Sequence, residues 1–161
     1  DTSITAANIP TGYTHYRRLG SIRRSGAAAN LVFTQDGDLF LLSTALLDIS
    51  AGNPGTSAVT ATLTVPSGLA VRALFRGGLL SNTAGRGVVF TSLSESDQAP
   101  DAAVAPLESA VTHVSGVQEL THFDVRSNTS SQIRYRLAGS DVNTTVYIAT
   151  YGWIDRRGRD A

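Results

Sequence analysis

The stretch that decides the fold is Ser57-Ala58-Val59-Thr60-Ala61-Thr62-Leu63-Thr64-Val65-Pro66. From position 59 to position 65 every second residue is apolar, and each residue between two apolar ones is a threonine. This alternation places apolar side chains on one face and hydroxyl groups on the other, which is typical of a half-buried antiparallel strand. Pro66-Ser67-Gly68 then interrupts the pattern, so we expect the strand to end there.

The same period of two recurs further along the chain. Val71, Ala73 and Phe75 alternate with Arg72, Leu74 and Arg76, and Gly77-Gly78 is expected to end that strand. Residues 132–137 alternate in the same way, and a last strand is expected from residue 146 to residue 154. The repeated pattern predicts that most of the chain is built from short strands.

The sequence predicts one β-hairpin. Two apolar runs, residues 31–35 and 39–43, flank Asp36-Gly37-Asp38. An Asp-Gly pair suits the positive φ angles of a tight hairpin turn. Since residues 39–42 are all apolar, we expect this strand to be covered on both faces.

The runs between turn residues number about eight to ten strands, at the spacing of a sandwich or jelly roll. We therefore predict an all-β chain, an antiparallel β-sandwich of jelly-roll type, in which residues 1–161 form a single domain. Only residues 102–114 are ambiguous, because their apolar spacing also fits a helical face. We interpret this stretch as a loop that contains one helical turn.

Composition restricts the classes of partner. The hydrophobic content is 42%, which excludes a disordered chain, and the formal net charge is 0. Neutrality, with no continuous basic stripe, predicts no nucleic-acid partner. No apolar run approaches the roughly 18 residues that a spanning helix needs, so no membrane insertion is expected.

No motif for catalysis or for a cofactor is visible. The chain has no cysteine, no lysine and no GxSxG elbow, and its histidines at positions 15, 113 and 122 lack the spacing of metal ligands. We therefore predict no catalytic residue, no cofactor and no metal. One question stays open: Glu95, Asp97 and Asp101 share a loop that could bind Ca²⁺ or cleave a glycoside, or could be a solvated acidic loop.

The two ends of the chain carry a resemblance to a known family. They read Ile9-Pro10-Thr11-Gly12-Tyr13-Thr14-His15-Tyr16-Arg17-Arg18-Leu19-Gly20-Ser21-Ile22-Arg23 and Tyr151-Gly152-Trp153-Ile154-Asp155-Arg156-Arg157-Gly158-Arg159-Asp160-Ala161. With residues 31–42 and 127–134 between them, they resemble the C-terminal receptor-binding domains of bacteriophage tail fibres and spikes, and of gene-transfer-agent-like particles. The resemblance implies a module at the end of a longer particle protein, exposed on the virion. It also implies a homotrimer in contact with other particle proteins.

Three functions are compatible with this resemblance. The first is a non-catalytic receptor-binding domain that recognises bacterial surface polysaccharide, and the second is a structural fibre cap or trimerisation domain without a ligand. The third is a capsule-degrading glycoside hydrolase, which lacks a paired carboxylate set here. A binder is expected to expose a Trp, Tyr or His beside Asn, Asp or Arg, whereas a cap is expected to bury its aromatic rings between subunits.

For a binder, the candidate site lies in polar loops at one end of the sandwich, namely residues 81–87, 94–101 and 127–131. The residues expected to contact the glycan there are Asn82, Arg86, Asp97, Gln98, Asp101 and Asn128. Arg86 stands between two glycines, so we expect its guanidinium to be unshielded and able to bind the carboxylate of an acidic sugar. In the competing interpretation, Tyr151 and Trp153 form the binding platform.

Overall fold

The computed structural model describes residues 11–13, 19–25, 29–101, 103, 105, 110–111 and 114–157. This part of the chain forms eleven strands and contains no helix. The strands are β1 (Arg24–Ser25), β2 (Ala29–Asn30), β3 (Phe33–Asp36), β4 (Leu39–Gly52), β5 (Val59–Thr62), β6 (Arg72–Ser81), β7 (Gly87–Thr91), β8 (Ala110–Val111), β9 (Val117–Arg126), β10 (Gln132–Leu137) and β11 (Thr145–Ile154). A search of the same residues for a helix long and apolar enough to cross a bilayer finds none.

The strands form two main sheets in which all neighbours pair antiparallel. One sheet has five strands in the order β3-β4-β11-β6-β9, and the other has four in the order β5-β10-β7-β8. From β4 onward the chain passes between the two sheets at almost every step, as it does in a jelly roll. The predicted all-β antiparallel sandwich is confirmed, and a small third sheet pairs β1 with β2.

Both sheets supply side chains to one apolar core. Phe75 of β6 lies against Phe90 of β7 with ring centroids 5.4 Å apart, which joins the two sheets. At one end of the core, Trp153 stacks on Phe40 with a centroid distance of 5.2 Å. Each of these rings is at least 94% buried, and burying one large apolar side chain stabilises a fold by about 1.5–3 kcal/mol.

The alternation that predicted the first strand is confirmed. Ala61, Leu63 and Val65 are buried, whereas Thr60 and Thr62 are exposed. The ladder itself ends at Thr62, and the alternation of buried and more exposed residues continues three residues beyond it. A hydrogen bond from the Leu63 amide to the Ser131 carbonyl supports that extension.

The prediction that Gly77-Gly78 ends a strand is wrong, because β6 continues to Ser81. A side chain at Gly78 would collide with the backbone carbonyl of Glu119 on β9. A Cβ at Gly77 would lie 3.0 Å from the ring of Phe90 in the opposite sheet. These glycines therefore allow close packing inside a continuous strand.

The predicted hairpin is confirmed. Asp36 of β3 pairs with Leu39 of β4, and Gly37 has a φ of 57°. The expectation that residues 39–42 are covered on both faces is wrong, because Leu41 is 38% exposed while Phe40 is buried. In the ambiguous stretch, the described residues include the short strand β8, and most of the others fall outside the described part of the chain.

The pairing register fixes where each loop lies. Ser81 at the end of β6 pairs with Val117 at the start of β9, and Arg72 at the start of β6 pairs with Arg126 at the end of β9. We call these two ends of the sandwich the Ser81 end and the Arg72 end. Because consecutive strands run in opposite directions, successive loops of a jelly roll alternate between the two ends.

Candidate functional site

The three predicted loops do not form one cluster. The loop 81–87 lies at the Ser81 end, and the turn 127–131 follows β9 at the Arg72 end. The ten residues of β6 separate them, a length of about 30 Å. The prediction of a single site in these loops is therefore wrong, because antiparallel strands carry the loops to opposite ends.

At the Ser81 end, Arg86 is already engaged within the chain. Its Nη2 lies 3.4 Å from Oδ2 of Asp141, and its guanidinium occupies the space that a side chain at Gly139 would need. The expectation of an unshielded Arg86 is wrong for this reason. In the same loop Asn82 is exposed, and its backbone carbonyl accepts a hydrogen bond of 2.5 Å from Ser115.

Asp141 is the centre of this loop contact. The backbone amide of Asn143 donates to its Oδ1 at 2.8 Å, and the hydroxyl groups of Thr144 and Thr83 donate to the same carboxylate. The hydrogen bond from Asn143, assisted by those from the two threonines and Arg86, lowers the pKa of Asp141 from its ordinary 3.8. These hydrogen bonds connect the loop 81–87 to the loop that contains Asp141. The side chains of Thr83, Arg86 and Asp141 are therefore already bonded to one another and are less available to a ligand.

The loop 94–101 folds back over the outer face of the four-stranded sheet. Its Asp97 accepts a hydrogen bond of 3.0 Å from Arg136 and lies 3.7 Å from Arg134. Arg134 is only 7% exposed, and it donates to the backbone carbonyls of Ser92 and Glu95. Two arginines of β10 therefore hold this loop against the sheet, and we call residues 94–101 the strap.

The remaining acidic residues of this loop also have partners within the chain. Glu95 accepts a hydrogen bond from the Ser92 amide at 3.1 Å, and Asp101 accepts one from the Ala103 amide at 2.7 Å. Gln98 is exposed on the strap. Among the residues that the structure describes, no three His, Asp or Glu side chains are grouped so that they could bind a metal ion.

Asn128 shapes its own turn. Its Oδ1 accepts hydrogen bonds of 2.9 Å from the amides of both Ser130 and Gln132. The turn also brings Ser131 to a φ of 63°, in the left-handed region. The local role of the Asn128 side chain is therefore that of a turn former.

Trp153 is not a binding platform. The ring is fully buried, and its Nε1 donates a hydrogen bond of 3.0 Å to Oγ of Ser21. Because Trp153 packs on Phe40 in the core, it offers no surface to a ligand, and this part of the prediction is wrong. Tyr151, two residues earlier, has the opposite orientation.

A β-bulge at Tyr151 gives Tyr151 and Trp153 opposite orientations. Thr150 pairs with Phe75 and Gly152 pairs with Leu74, so Tyr151 is an extra residue on β11. Thr150 is buried on the core face, and a side chain at Gly152 would collide with the carbonyl of Phe40. Alternation after the inward Thr150 places Tyr151 on the outer face of the five-stranded sheet, where its side chain is partly exposed, and the bulge returns Trp153 to the core.

Tyr151 lies beside two exposed residues from the neighbouring strands. Its ring is edge-to-face with the imidazole of His122, at a centroid distance of 5.7 Å and an interplanar angle of 78°. Cζ of Arg76 lies 5.9 Å from the Tyr151 ring centroid, and Arg76 Nε donates a hydrogen bond of 3.2 Å to Nε2 of His122. That bond leaves the proton of a neutral His122 on Nδ1. We call these three residues the Tyr151 cluster.

The cluster continues into a shallow outer surface. The register aligns two rows across β9, β6, β11 and β4, which are His122–Arg76–Ala149–Leu47 and Leu120–Gly78–Tyr147–Ser50. Gly78 and Ala149 form a low floor, while Leu120 and Leu47 are 47% and 63% exposed on either side of it. The surface combines an aromatic ring, planar donors and an apolar rim, the mixture found in small-molecule sites.

Three residues of the site region escaped the sequence analysis. His122 and Arg76 are 46 positions apart, and only the β6–β9 register brings them together. Asp48 lies at a second irregularity of the sheet, and its Oδ2 accepts hydrogen bonds from the Thr64 amide at 2.8 Å and the Thr150 hydroxyl at 2.5 Å. The alternation around residue 122 signals an outward histidine, but nothing local signals the role of Asp48.

Comparison with known proteins identifies no relative. No family model matches the chain, and no curated protein or solved structure matches it. The functional argument therefore depends on the Tyr151 cluster and the surface around it.

Proposed function

We propose that this domain is a non-catalytic host receptor-binding module of a phage tail fibre or spike, or of a phage-like particle. Its ligand is bacterial surface polysaccharide, which binds on the outer face of the five-stranded sheet. The observation that carries the proposal is the Tyr151 cluster, an outward aromatic ring beside an exposed histidine and an exposed arginine. The resemblance of the chain ends to receptor-binding domains supports the same function.

The chemistry of the Tyr151 cluster suits a sugar. The apolar face of a pyranose ring packs against an aromatic ring, and its paired hydroxyl groups require planar donors and acceptors at the ring edge. Arg76 and the Nδ1–H of His122 supply such donors, and Arg76 also suits the carboxylate of an acidic sugar. A hydrogen bond to a charged group contributes about 1.5–3 kcal/mol.

The proposal includes a homotrimer on the virion, in contact with other particle proteins. Support comes from the described N-terminal residues, of which four large apolar side chains are more than half exposed. These are Tyr13 at 70%, Leu19 at 76%, Ile22 at 55% and Val32 at 71%. Large exposed apolar surface is typical of a protein interface.

One observation favours a structural cap as the second candidate. Leu47 and Leu120 are exposed on the same outer face as Tyr151, and a cap would bury this face between subunits. A hydrolase receives less support, since Asp97 is engaged by arginines and Glu95 by the Ser92 amide. The glycan-binding function and the cap therefore make opposite predictions for the accessibility of Tyr151.

The test is binding of the purified domain to host cells and to their immobilised surface polysaccharide. Tyr151→Ala should lower affinity about tenfold to a hundredfold, equivalent to about 1.4–2.8 kcal/mol. Asn82→Ala, an exposed change at the Ser81 end, is the control and should bind as the parent does. Parental binding by Tyr151→Ala with an unchanged circular dichroism spectrum would exclude the outer-face site.

A solution measurement separates the two candidates. Light scattering gives the oligomeric state of the parent and of Leu47→Ser, a polar change on the outer face. The glycan-binding function predicts that Leu47→Ser keeps the parental oligomer, whereas the cap predicts that it dissociates. Dissociation, with no polysaccharide bound by the parent, would favour the cap.

A further inference from the structure

A cavity of about 470 Å³ lies between the segment 20–24 and the loop 66–69. It is at the Arg72 end of the sandwich, next to the aromatic part of the core. Its size is within the range of sites for small organic molecules. Neither the resemblance nor the Tyr151 cluster assigns a role to this cavity.

The walls of the cavity are fixed by contacts outside it. Gly20 lies against the core, where an added Cβ would be 3.0 Å from Cζ of Phe40. The Arg23 carbonyl accepts a hydrogen bond of 2.8 Å from the Leu31 amide. On the other side, the Gly68 amide donates to the Thr129 carbonyl at 2.7 Å. The cavity is thus preformed, which lowers the entropic cost of binding a ligand.

The described residues around the cavity favour an anion. They include two arginines, Arg23 and Arg24, and no acidic residue. Pro66 and Leu69 are buried and supply an apolar wall, so the ligand would also have an apolar or carbon-based part. Positive charge on one wall and apolar surface on another match a small organic acid.

Arg23 also has an unmet hydrogen-bond donor. Its Nε is buried and has no hydrogen-bond partner among the described residues. Ser21, in the same wall, accepts a bond from Trp153, and its own hydroxyl proton meets no acceptor in the described part of the chain. A buried charged donor without an acceptor is costly, and an anion held beside the same guanidinium would offset part of that cost.

We propose that this cavity is a binding site for a small organic anion that bears a carboxylate or a phosphate. The guanidinium of Arg23 binds two oxygens of the anion through its two terminal nitrogens. The Ser21 hydroxyl donates to the same group, and the carbon skeleton packs on Leu69 and Pro66. The site uses none of the residues of the Tyr151 cluster, so it is independent of the proposed glycan-binding surface.

Trp153 provides a specific reporter of occupancy. It is the only tryptophan of the chain, and its Nε1 bonds to Ser21 in the wall of the cavity. The full chain is titrated with D-glucuronate, with inorganic phosphate and with neutral D-glucose while tryptophan fluorescence and calorimetric heat are recorded. We expect saturable binding of glucuronate or of phosphate and none of glucose. The stronger of the two anions distinguishes a carboxylate ligand from a phosphate ligand.

Variants connect that signal to the cavity. Arg23→Gln should weaken anion binding at least tenfold, and Arg23→Lys should weaken it too, because lysine keeps the charge but lacks the planar pair of terminal nitrogens. Arg126→Gln removes the same charge from an exposed position on β9 and should bind as the parent does. Thermal unfolding checks that each variant is folded.

Two results would overturn the proposal. One is that neither anion gives a saturable signal, or that glucose gives the same signal as glucuronate. The other is that a folded Arg23→Gln and a folded Arg23→Lys both bind the anion with parental affinity. Loss of binding in Arg126→Gln as well would show that overall charge, and not the cavity, attracts the anion.

Discussion

The ring of Tyr151 lies edge-to-face against the imidazole of His122, with 5.7 Å between the centroids and 78° between the planes. Tyr151 is the one residue of β11 that has no partner on β6. Without the bulge, the strict alternation after the buried Thr150 would place Gly152 on the core face and Trp153 on the outer face. Tyr151 follows the buried Thr150 and lies outward in either case, and the extra residue is what keeps Trp153 in the core.

The first prediction concerns the glycine that makes this bulge possible. Gly152→Ala should destabilise the domain by about 1–3 kcal/mol, because the new methyl group collides with the Phe40 carbonyl. Gly52→Ala is the matched control, since a Cβ there meets nothing within 4 Å and should change the thermal midpoint little. Equal midpoints for the two variants would show that the bulge tolerates a side chain.

Sequence alone predicted the strands better than the sheet irregularities. Alternation over residues 59–65 requires only local periodicity, and burial of Ala61, Leu63 and Val65 confirmed it. A bulge leaves no such local signature, so strict alternation would put Tyr151 and Trp153 on the same face, and the inward position of Trp153 could not be predicted. Gly78 shows the same limit, because its close approach to Glu119 depends on a strand 41 positions away.

The site prediction failed for a reason of topology. Loops were chosen for length and polarity, yet the strand order sends residues 81–87 and 127–131 to opposite ends. Arg86 looked unshielded because its neighbours in sequence are glycines, but its partner Asp141 is 55 positions away. Of the eight predicted residues, Tyr151 alone lies in the cluster that now carries the proposal.

The second prediction concerns acid stability and Asp141. Hydrogen bonds, first that from the Asn143 amide, lower the pKa of this carboxyl in the folded state below its ordinary 3.8. The ionised group therefore stabilises the fold above that pH, and its contribution is lost as the pH falls through the lowered pKa. Asp141→Asn should unfold at lower denaturant concentration than the parent at neutral pH, and the two should converge well below 3.8.

Denaturant titrations at neutral and acid pH test this convergence. Asp36→Asn is the control, because the side chain of Asp36 is on the exposed hairpin, and this change should lower the denaturant midpoint at neutral pH less than Asp141→Asn does. A difference between Asp141→Asn and the parent that stays constant with pH would contradict the role of the ionised carboxylate.

The third prediction concerns the strap over the four-stranded sheet. Arg134→Ala should cost about 1.5–3 kcal/mol, since it leaves the carbonyls of Ser92 and Glu95 without this charged donor. The strap 94–101 should then be cleaved faster in limited proteolysis. Arg136→Ala removes a more exposed arginine from the same strand and should have the smaller effect. Cleavage at the parental rate in a folded Arg134→Ala would mean that the strap does not depend on Arg134.

The last prediction concerns Asp48, which links β4 to the core side of the Tyr151 bulge. Its carboxylate accepts hydrogen bonds from the Thr64 amide, the Thr64 hydroxyl and the buried hydroxyl of Thr150. Asp48→Ala leaves these donors unmet and should cost at least about 1.5–3 kcal/mol in urea unfolding. Asp124→Ala, which removes an exposed ion pair with Arg72, should cost less than about 1 kcal/mol. Because Thr150 precedes Tyr151, Asp48→Ala should also weaken polysaccharide binding. Parental stability together with parental binding would show that Asp48 does not stabilise the bulge.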